Sequence, residues 1–352
     1  MLGAVASASA GASTAVLPWV LDPLPWVRVA VALIVTANVA LLLWAGTGAV
    51  RWCRGRRRPG GRRRVAAGVV VALVVTVPAT TAAAAVGSMT DERAAFLAGT
   101  TAAQRISHVT GAPATEPLRV YVGLDDAPTD AARAGLAVDA LDRAGGFARS
   151  AVLVVAPTGS GWVDPAAVST VEYLTGGDVA TVATQYAHRP SWVEYPLGTE
   201  AAQRSTAALV GAVRARIDTL PAGHRPQLLL FGESLGALAA APTARLADHT
   251  VLAGPPGAVA DPPPSGATVA LNSDDPVGRW SPALAVRPAG PGPWLPIVTF
   301  WQVTGSLVGA LDVPSGHGHR YGGGLADAWV AAGAATAPPV RLAAVRAAAD
   351  AG

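Results

Sequence analysis

Residues 226–245, PQLLLFGESLGALAAAPTAR, decide how this chain is read. The apolar run Leu228, Leu229, Leu230, Phe231 has the length of a buried strand, and the alanine-rich stretch from Leu235 has the composition of a helix. Between them stands Gly232-Glu233-Ser234-Leu235-Gly236. A strand that turns into a helix within about two residues forces the central serine into a strained backbone conformation, and glycines two before and two after leave space for the turn. The serine hydroxyl then stands above the sheet, and the N–H of Leu235 points where an oxyanion would form. Ser234 is therefore the candidate nucleophile. With 39 glycines in the chain, the pentapeptide alone is a weak signal. Its context carries the weight: an apolar strand before it, and Ala237, Ala239 and Ala240 after it, small enough for close packing of helix on strand.

The same alternation extends to both sides. Short apolar, β-branched runs predict strands over 119–124, 152–156, 179–186, 227–232, 250–253 and 268–271. Helical patterns fill 130–144, 164–175, 199–218, 235–246, 296–310 and 324–333. Strand and helix in turn predict an α/β fold, a mostly parallel sheet with helices on both faces. Residues 88–116 read as a connector containing a helix, and 117–352 as the catalytic domain.

Acyl transfer by a serine needs a base to take its proton and an acid to orient that base, which in this arrangement follow in the order serine, acid, histidine. Past an apolar strand, Leu271-Asn272-Ser273-Asp274-Asp275-Pro276 offers two aspartates, with proline stiffening the loop behind Asp275. Only His249, His317 and His319 follow Ser234. His249 falls at the start of a strand, the place of a structural histidine. His317 and His319 share a glycine-rich loop, Asp312 to Tyr321, where a histidine can reach across to a nucleophile. His317 lies between Gly316 and Gly318, which favours it as the base, with His319 in reserve. A second oxyanion donor is expected from Pro157-Thr158-Gly159-Ser160-Gly161-Trp162, whose glycines let a backbone N–H of Thr158 or Gly159 approach a substrate oxygen. The chain has no lysine, so this loop is not a Walker phosphate site. No cofactor or metal is implied.

Composition places the domain. The chain is 51% hydrophobic and 14% charged, too apolar for an ordinary soluble protein. Residues 29–50 and 65–86 are uncharged runs long enough to cross a bilayer as helices, which makes residues 1–87 a membrane anchor. Between the runs, RWCRGRRRPGGRRR (51–64) carries eight arginines and no acid. Arginines between two spans bias that loop to the cytoplasm and so place the catalytic domain on the extracytoplasmic face. Without those eight, 18 basic residues face 23 acidic ones. The remainder is acidic, which excludes nucleic acid as a partner. Cys53, the sole cysteine, lies in the arginine loop, so the domain has neither a disulfide nor a thiolate metal site.

The strings RVYVGLDDAPT, PTGSGWVDPAAV, EYLTGGD, QYAHRPSW, FGESLG, SDDPVGRWSP, PIVTFWQVTGSL and DVPSGHGHRYG, spread over residues 117–325, resemble those of membrane-bound α/β-hydrolases of actinobacteria. The resemblance implies an α/β-hydrolase domain behind transmembrane helices, with Ser234 matching the nucleophile, Asp275 the aspartate before proline, and His317 or His319 the histidine loop. The chain departs from that pattern in a shorter membrane region and in Gly278-Arg279, where a more apolar pair is expected. The expected activity is a serine esterase acting on an acylated envelope lipid or glycolipid, since an anchored enzyme meets membrane lipid at high effective concentration. Transfer of the acyl group to a sugar is the alternative, and a non-catalytic envelope scaffold a further one.

Overall fold

The computed structural model describes residues 92–351 apart from 190, 192–193, 196–197 and 263–265. The anchor runs, the arginine loop and Cys53 lie outside the described residues. Among the described residues no helix is long and apolar enough to cross a membrane.

Six strands form one sheet in the order β1-β3-β2-β4-β5-β6, every neighbouring pair parallel. They are β1 (Leu118–Val122), β2 (Ala151–Ala156), β3 (Val179–Thr184), β4 (Gln227–Glu233), β5 (His249–Ala253) and β6 (Thr268–Ala270). The helices are α1 (Glu92–Ala98), α2 (Ala103–Thr110), α3 (Asp130–Arg143), α4 (Pro165–Leu174), α5 (Glu200–Asp218), α6 (Leu235–Ala240), α7 (Pro276–Arg279), α8 (Val298–Leu307), α9 (Leu325–Ala331) and α10 (Pro339–Asp350). Each strand read from the sequence is present, with ends shifted by one or two residues. The short α7 and the terminal α10 carry too little apolar periodicity to be foreseen.

The two-residue period of each strand divides the core. Val152, Val154, Leu228, Leu230 and Leu252 join the cluster under α3, α5 and α6. Leu153, Val155, Leu229, Phe231 and Val251 join the opposite cluster with α4 and α9, which includes Trp329. β2 and β4 are buried along nearly their whole length, as a parallel sheet covered on both faces requires.

The chain leaves β2 toward β3 and leaves β4 toward β5, on opposite sides. That divergence opens a crevice at the carboxyl ends of these two neighbouring strands, the position where open α/β sheets hold ligands. The turn at Ser234 follows β4 and the loop 157–164 follows β2 at these strand ends.

The segment expected as a connector is part of the folded unit from residue 92. Phe96 and Ile106 are buried in the core clusters. Arg119 of β1 binds both carboxylate oxygens of Glu172 in α4, at 2.7 and 3.0 Å, and donates to the carbonyl of Phe96 at 2.8 Å. Glu172 also accepts the backbone N–H of Thr101. Both charged side chains are buried, so each depends on the other for the solvation that water no longer supplies. Glu172→Ala strands the Arg119 guanidinium and is expected to cost about 3–5 kcal/mol of stability, read as a lowered urea or thermal midpoint.

Candidate active site

Ser234 has φ 55 and ψ −121, one of two non-glycine residues with positive φ among those described. A non-glycine residue held there costs on the order of 1–3 kcal/mol, so the surroundings must impose it. They do so by contact. A Cβ on Gly232 would lie 2.2 Å from the carbonyl oxygen of Gly236, and one on Gly236 would lie 2.2 Å from that of Ala156. Both glycines are therefore required for α6 to start directly behind β4 and against the end of β2. The Ser234 N–H is held by the Ala253 carbonyl at 2.9 Å, which ties the turn to the end of β5.

Gly254 follows at φ 52, and a Cβ there would meet His319 Cε1 at 2.5 Å and the Tyr321 hydroxyl at 2.6 Å. The imidazole of His319 thus packs closely against Gly254, one residue beyond the carbonyl that holds Ser234. His319 Nδ1 is 2.8 Å from Asp275 Oδ2. Asp275 is buried and also accepts the Tyr321 hydroxyl and the Val277 N–H, the latter at 2.8 Å as the N-cap of α7. A carboxylate so surrounded accepts a hydrogen bond from Nδ1–H, which leaves Nε2 as the nitrogen able to act as an acceptor. His319 Nε2 is buried and has no protein partner. Of the two histidines in the loop, the structure buries His319 against an aspartate. His317 is exposed and pairs at 3.1 Å with Asp274, which is exposed too. The turn from 317 to 320 explains the split: His317 bridges to Arg320, so the two histidine side chains leave the turn on different sides. The Gly318 N–H, followed by His317, holds the Asp274 carboxyl below the usual aspartate range.

The two expected oxyanion donors in the loop after β2 separate as well. The Thr158 N–H donates to the Trp162 carbonyl at 2.9 Å, and an N–H already spent inside a turn cannot face a substrate. Gly159 makes no backbone hydrogen bond among those described, and Leu235 opens α6 directly behind Ser234.

Two further acids escaped the sequence reading. Glu233, inside the pentapeptide, is buried, and Asp164 caps α4 by accepting the Ala166 N–H at 2.9 Å. Burial, with the Asp164 and Asp275 charges nearby, pushes Glu233 well above the ordinary glutamate range. Burial also raises Asp164. Tyr321 is raised by burial and by the Asp275 charge, which keeps its hydroxyl a donor. An Asp followed by Pro at a helix start was the one available signal for Asp164.

A family model described as an alpha/beta-hydrolase family matches residues 118–271 and 267–339. The chain belongs to the alpha/beta-hydrolase family. Among solved structures, it is similar to a Trichoderma reesei cutinase in complex with a phosphonate inhibitor. The identity is 13% and the TM-score 0.30, over 51% of this chain and 86% of the cutinase. Among curated proteins none matches.

Because the His319 ring rests on Gly254, Gly254→Ala is expected to push the ring off its position while leaving the fold intact. A displacement of about 1 Å can cost about a hundredfold in rate. Ester turnover and circular dichroism, measured on the same preparation, separate the two effects.

Proposed function

We propose that this hydrolase-family domain is a serine esterase using Ser234, His319 and Asp275, and that it acts on an acylated lipid or glycolipid. The observation that carries the reading is the buried His319–Asp275 pair with a bare Nε2, its ring packed on Gly254, the residue after the Ala253 that holds the strained Ser234 turn. In the first half-reaction, Ser234 Oγ attacks the ester carbonyl carbon as Nε2 takes its proton. The carbonyl oxygen becomes an oxyanion facing the N–H groups of Leu235 and Gly159. The C–O bond to the alcohol then breaks, and His319 gives its proton to the departing alkoxide, leaving an acyl ester on Ser234. Water, deprotonated by His319, repeats the sequence and frees the acid. A sugar hydroxyl in place of water would make the same site a transferase.

The apolar acyl group follows from the cap between the acid and the histidine. From Pro288 to Leu311 there is no charged residue. Leu295, Ile297, Val298 and Leu311 are exposed, and α8 buries no residue. Aromatic contacts hold this surface in place: Trp280 packs on Tyr195 and Phe300, and its Nε1 donates to Thr304 at 2.8 Å. A monomer rarely displays so much adjoining apolar surface without using it. An acyl chain lying along it would be shielded from water.

A fluorophosphonate probe tests the chemistry. Ser234→Ala is expected to abolish labelling, and Asp275→Asn to reduce turnover by about four orders of magnitude through the wrong imidazole tautomer. His319→Ala should match that loss, with His317→Ala and Asp274→Asn close to wild type. Leu295→Ser together with Ile297→Ser should slow long-chain nitrophenyl esters while sparing acetyl esters. The reverse pattern for the histidines, or an unchanged chain-length profile, defeats the corresponding part.

The arginine loop between two apolar runs supports a place for this domain on the extracytoplasmic face of a membrane. Protease added to intact, envelope-permeabilised cells should digest the catalytic domain and spare a tag near residue 60; the opposite pattern reverses the topology.

A further inference from the structure

The loop Thr158-Gly159-Ser160-Gly161-Trp162, which leaves β2, has no buried apolar side chain to anchor it, and Trp162 is exposed. Hydrogen bonds hold it instead. Its own backbone closes the turn: the Thr158 N–H donates to the Trp162 carbonyl at 2.9 Å, and the Gly161 N–H to the Thr158 carbonyl at 2.6 Å. Two side chains from neighbouring strands take the carbonyls between. The Tyr121 hydroxyl donates to the Gly161 carbonyl at 3.0 Å, and Gln185 Nε2 donates to that of Ser160 at 2.7 Å. Tyr121 is buried in β1, its ring 5.6 Å from that of Phe96. Gln185 follows β3 directly, and its amide is engaged at both ends: Nε2 also reaches the Ala187 carbonyl at 2.9 Å, and Oε1 accepts the Leu124 N–H at 3.2 Å. The sheet order β1-β3-β2 sets these strand ends beside the loop. The approach is close, since a Cβ on Gly161, at φ 100, would lie 2.1 Å from the Tyr121 hydroxyl.

A trans peptide is planar, and its N–H points opposite to its C=O. The direction of each carbonyl in the loop therefore sets that of the next N–H. With the Thr158 carbonyl turned inward to Gly161, the Gly159 N–H is turned outward, and it has no backbone partner among those described. The root of the loop lies against the nucleophile turn: a Cβ on Gly236 would be 2.2 Å from the Ala156 carbonyl oxygen and 3.2 Å from that of Pro157. We propose that Tyr121 and Gln185 are positioning residues that pin the Gly161 and Ser160 carbonyls and so aim the Gly159 N–H at the developing oxyanion. This rests on the esterase reading. Two glycines in five residues leave the loop free to adopt other conformations once the pins are removed. A donor stabilises charge in the transition state most when nothing has to reorient at the moment of reaction.

Tyr121→Phe removes one oxygen and keeps the ring on Phe96, and Gln185→Leu removes the amide at similar bulk. In the full-length protein, each is expected to lower kcat for a nitrophenyl ester about tenfold, and the two together about a hundredfold, with KM unchanged. A thionoester supplies the readout that a merely structural role would not move. Sulfur is a poor hydrogen-bond acceptor, so the wild type is expected to favour the ester over its thiono analogue, and the double variant to lose about tenfold of that preference. Circular dichroism and the thermal midpoint, taken on the same preparations, establish that the variants are folded; if the double variant is not, Tyr121→Phe alone carries the comparison. Wild-type kcat in the folded variants overturns the proposal, and so does a lowered kcat with an unchanged ester-to-thionoester ratio. If the wild type itself turns over no ester and is never labelled at Ser234, it is the esterase reading that fails; an active wild type beside equally active variants sinks the positioning role alone.

Discussion

The backbone of Ser234 is the constraint on which the rest depends. A serine at φ 55 is held there because β4, α6 and the end of β2 approach so closely that Gly232 and Gly236 touch carbonyl oxygens where side chains would otherwise be. The core on either side provides the force. β2 and β4 are buried between two helical layers, and a small part of that burial free energy offsets the on-the-order-of 1–3 kcal/mol of strain in one residue. Relaxing the turn would require moving a strand in the middle of the sheet. The strained residue is thereby as rigid as the core.

The acid and the histidine are secured by other means, since both come from loops. Asp275 doubles as the cap of α7, and its remaining lone pairs are filled by His319 and Tyr321. Asn272 Nδ2 reaches the carbonyls of Gly318 and Arg320, and the His319 N–H reaches that of Ala310. Hydrogen bonds here do what packing does for the serine. Each group is held in a site where exchange with water is poor, which makes each bond worth more than its counterpart on the surface.

Much of this was legible in the residues. The six strands and the serine follow from hydrophobic runs and glycine spacing, which are local properties. Asp275 could be chosen over Asp274 through the proline behind it and a family likeness. The choice between His317 and His319 could not be made locally: flanking glycines suggested freedom of movement for His317, whereas a bridge within the turn and the register against Ala310 bury His319 instead. The Thr158 N–H is likewise engaged by a contact the local pattern does not show, the carbonyl of Trp162 four positions on. The burial of Glu233 was not legible either, since nothing short of the sheet order places β4 between β2 and β5.

The cap from residue 282 to 311 is inserted between Asp275 and His319, yet the residues flanking the insertion are fastened to each other by Asn272 and Asp274, which hold Gly318 and Arg320. Its interior can therefore change in length and composition without disturbing the residues on either side of it. Such an arrangement behaves as a replaceable cassette. Selection can retailor what the enzyme accepts while the reactive groups, closed off behind the fastening, remain as they are.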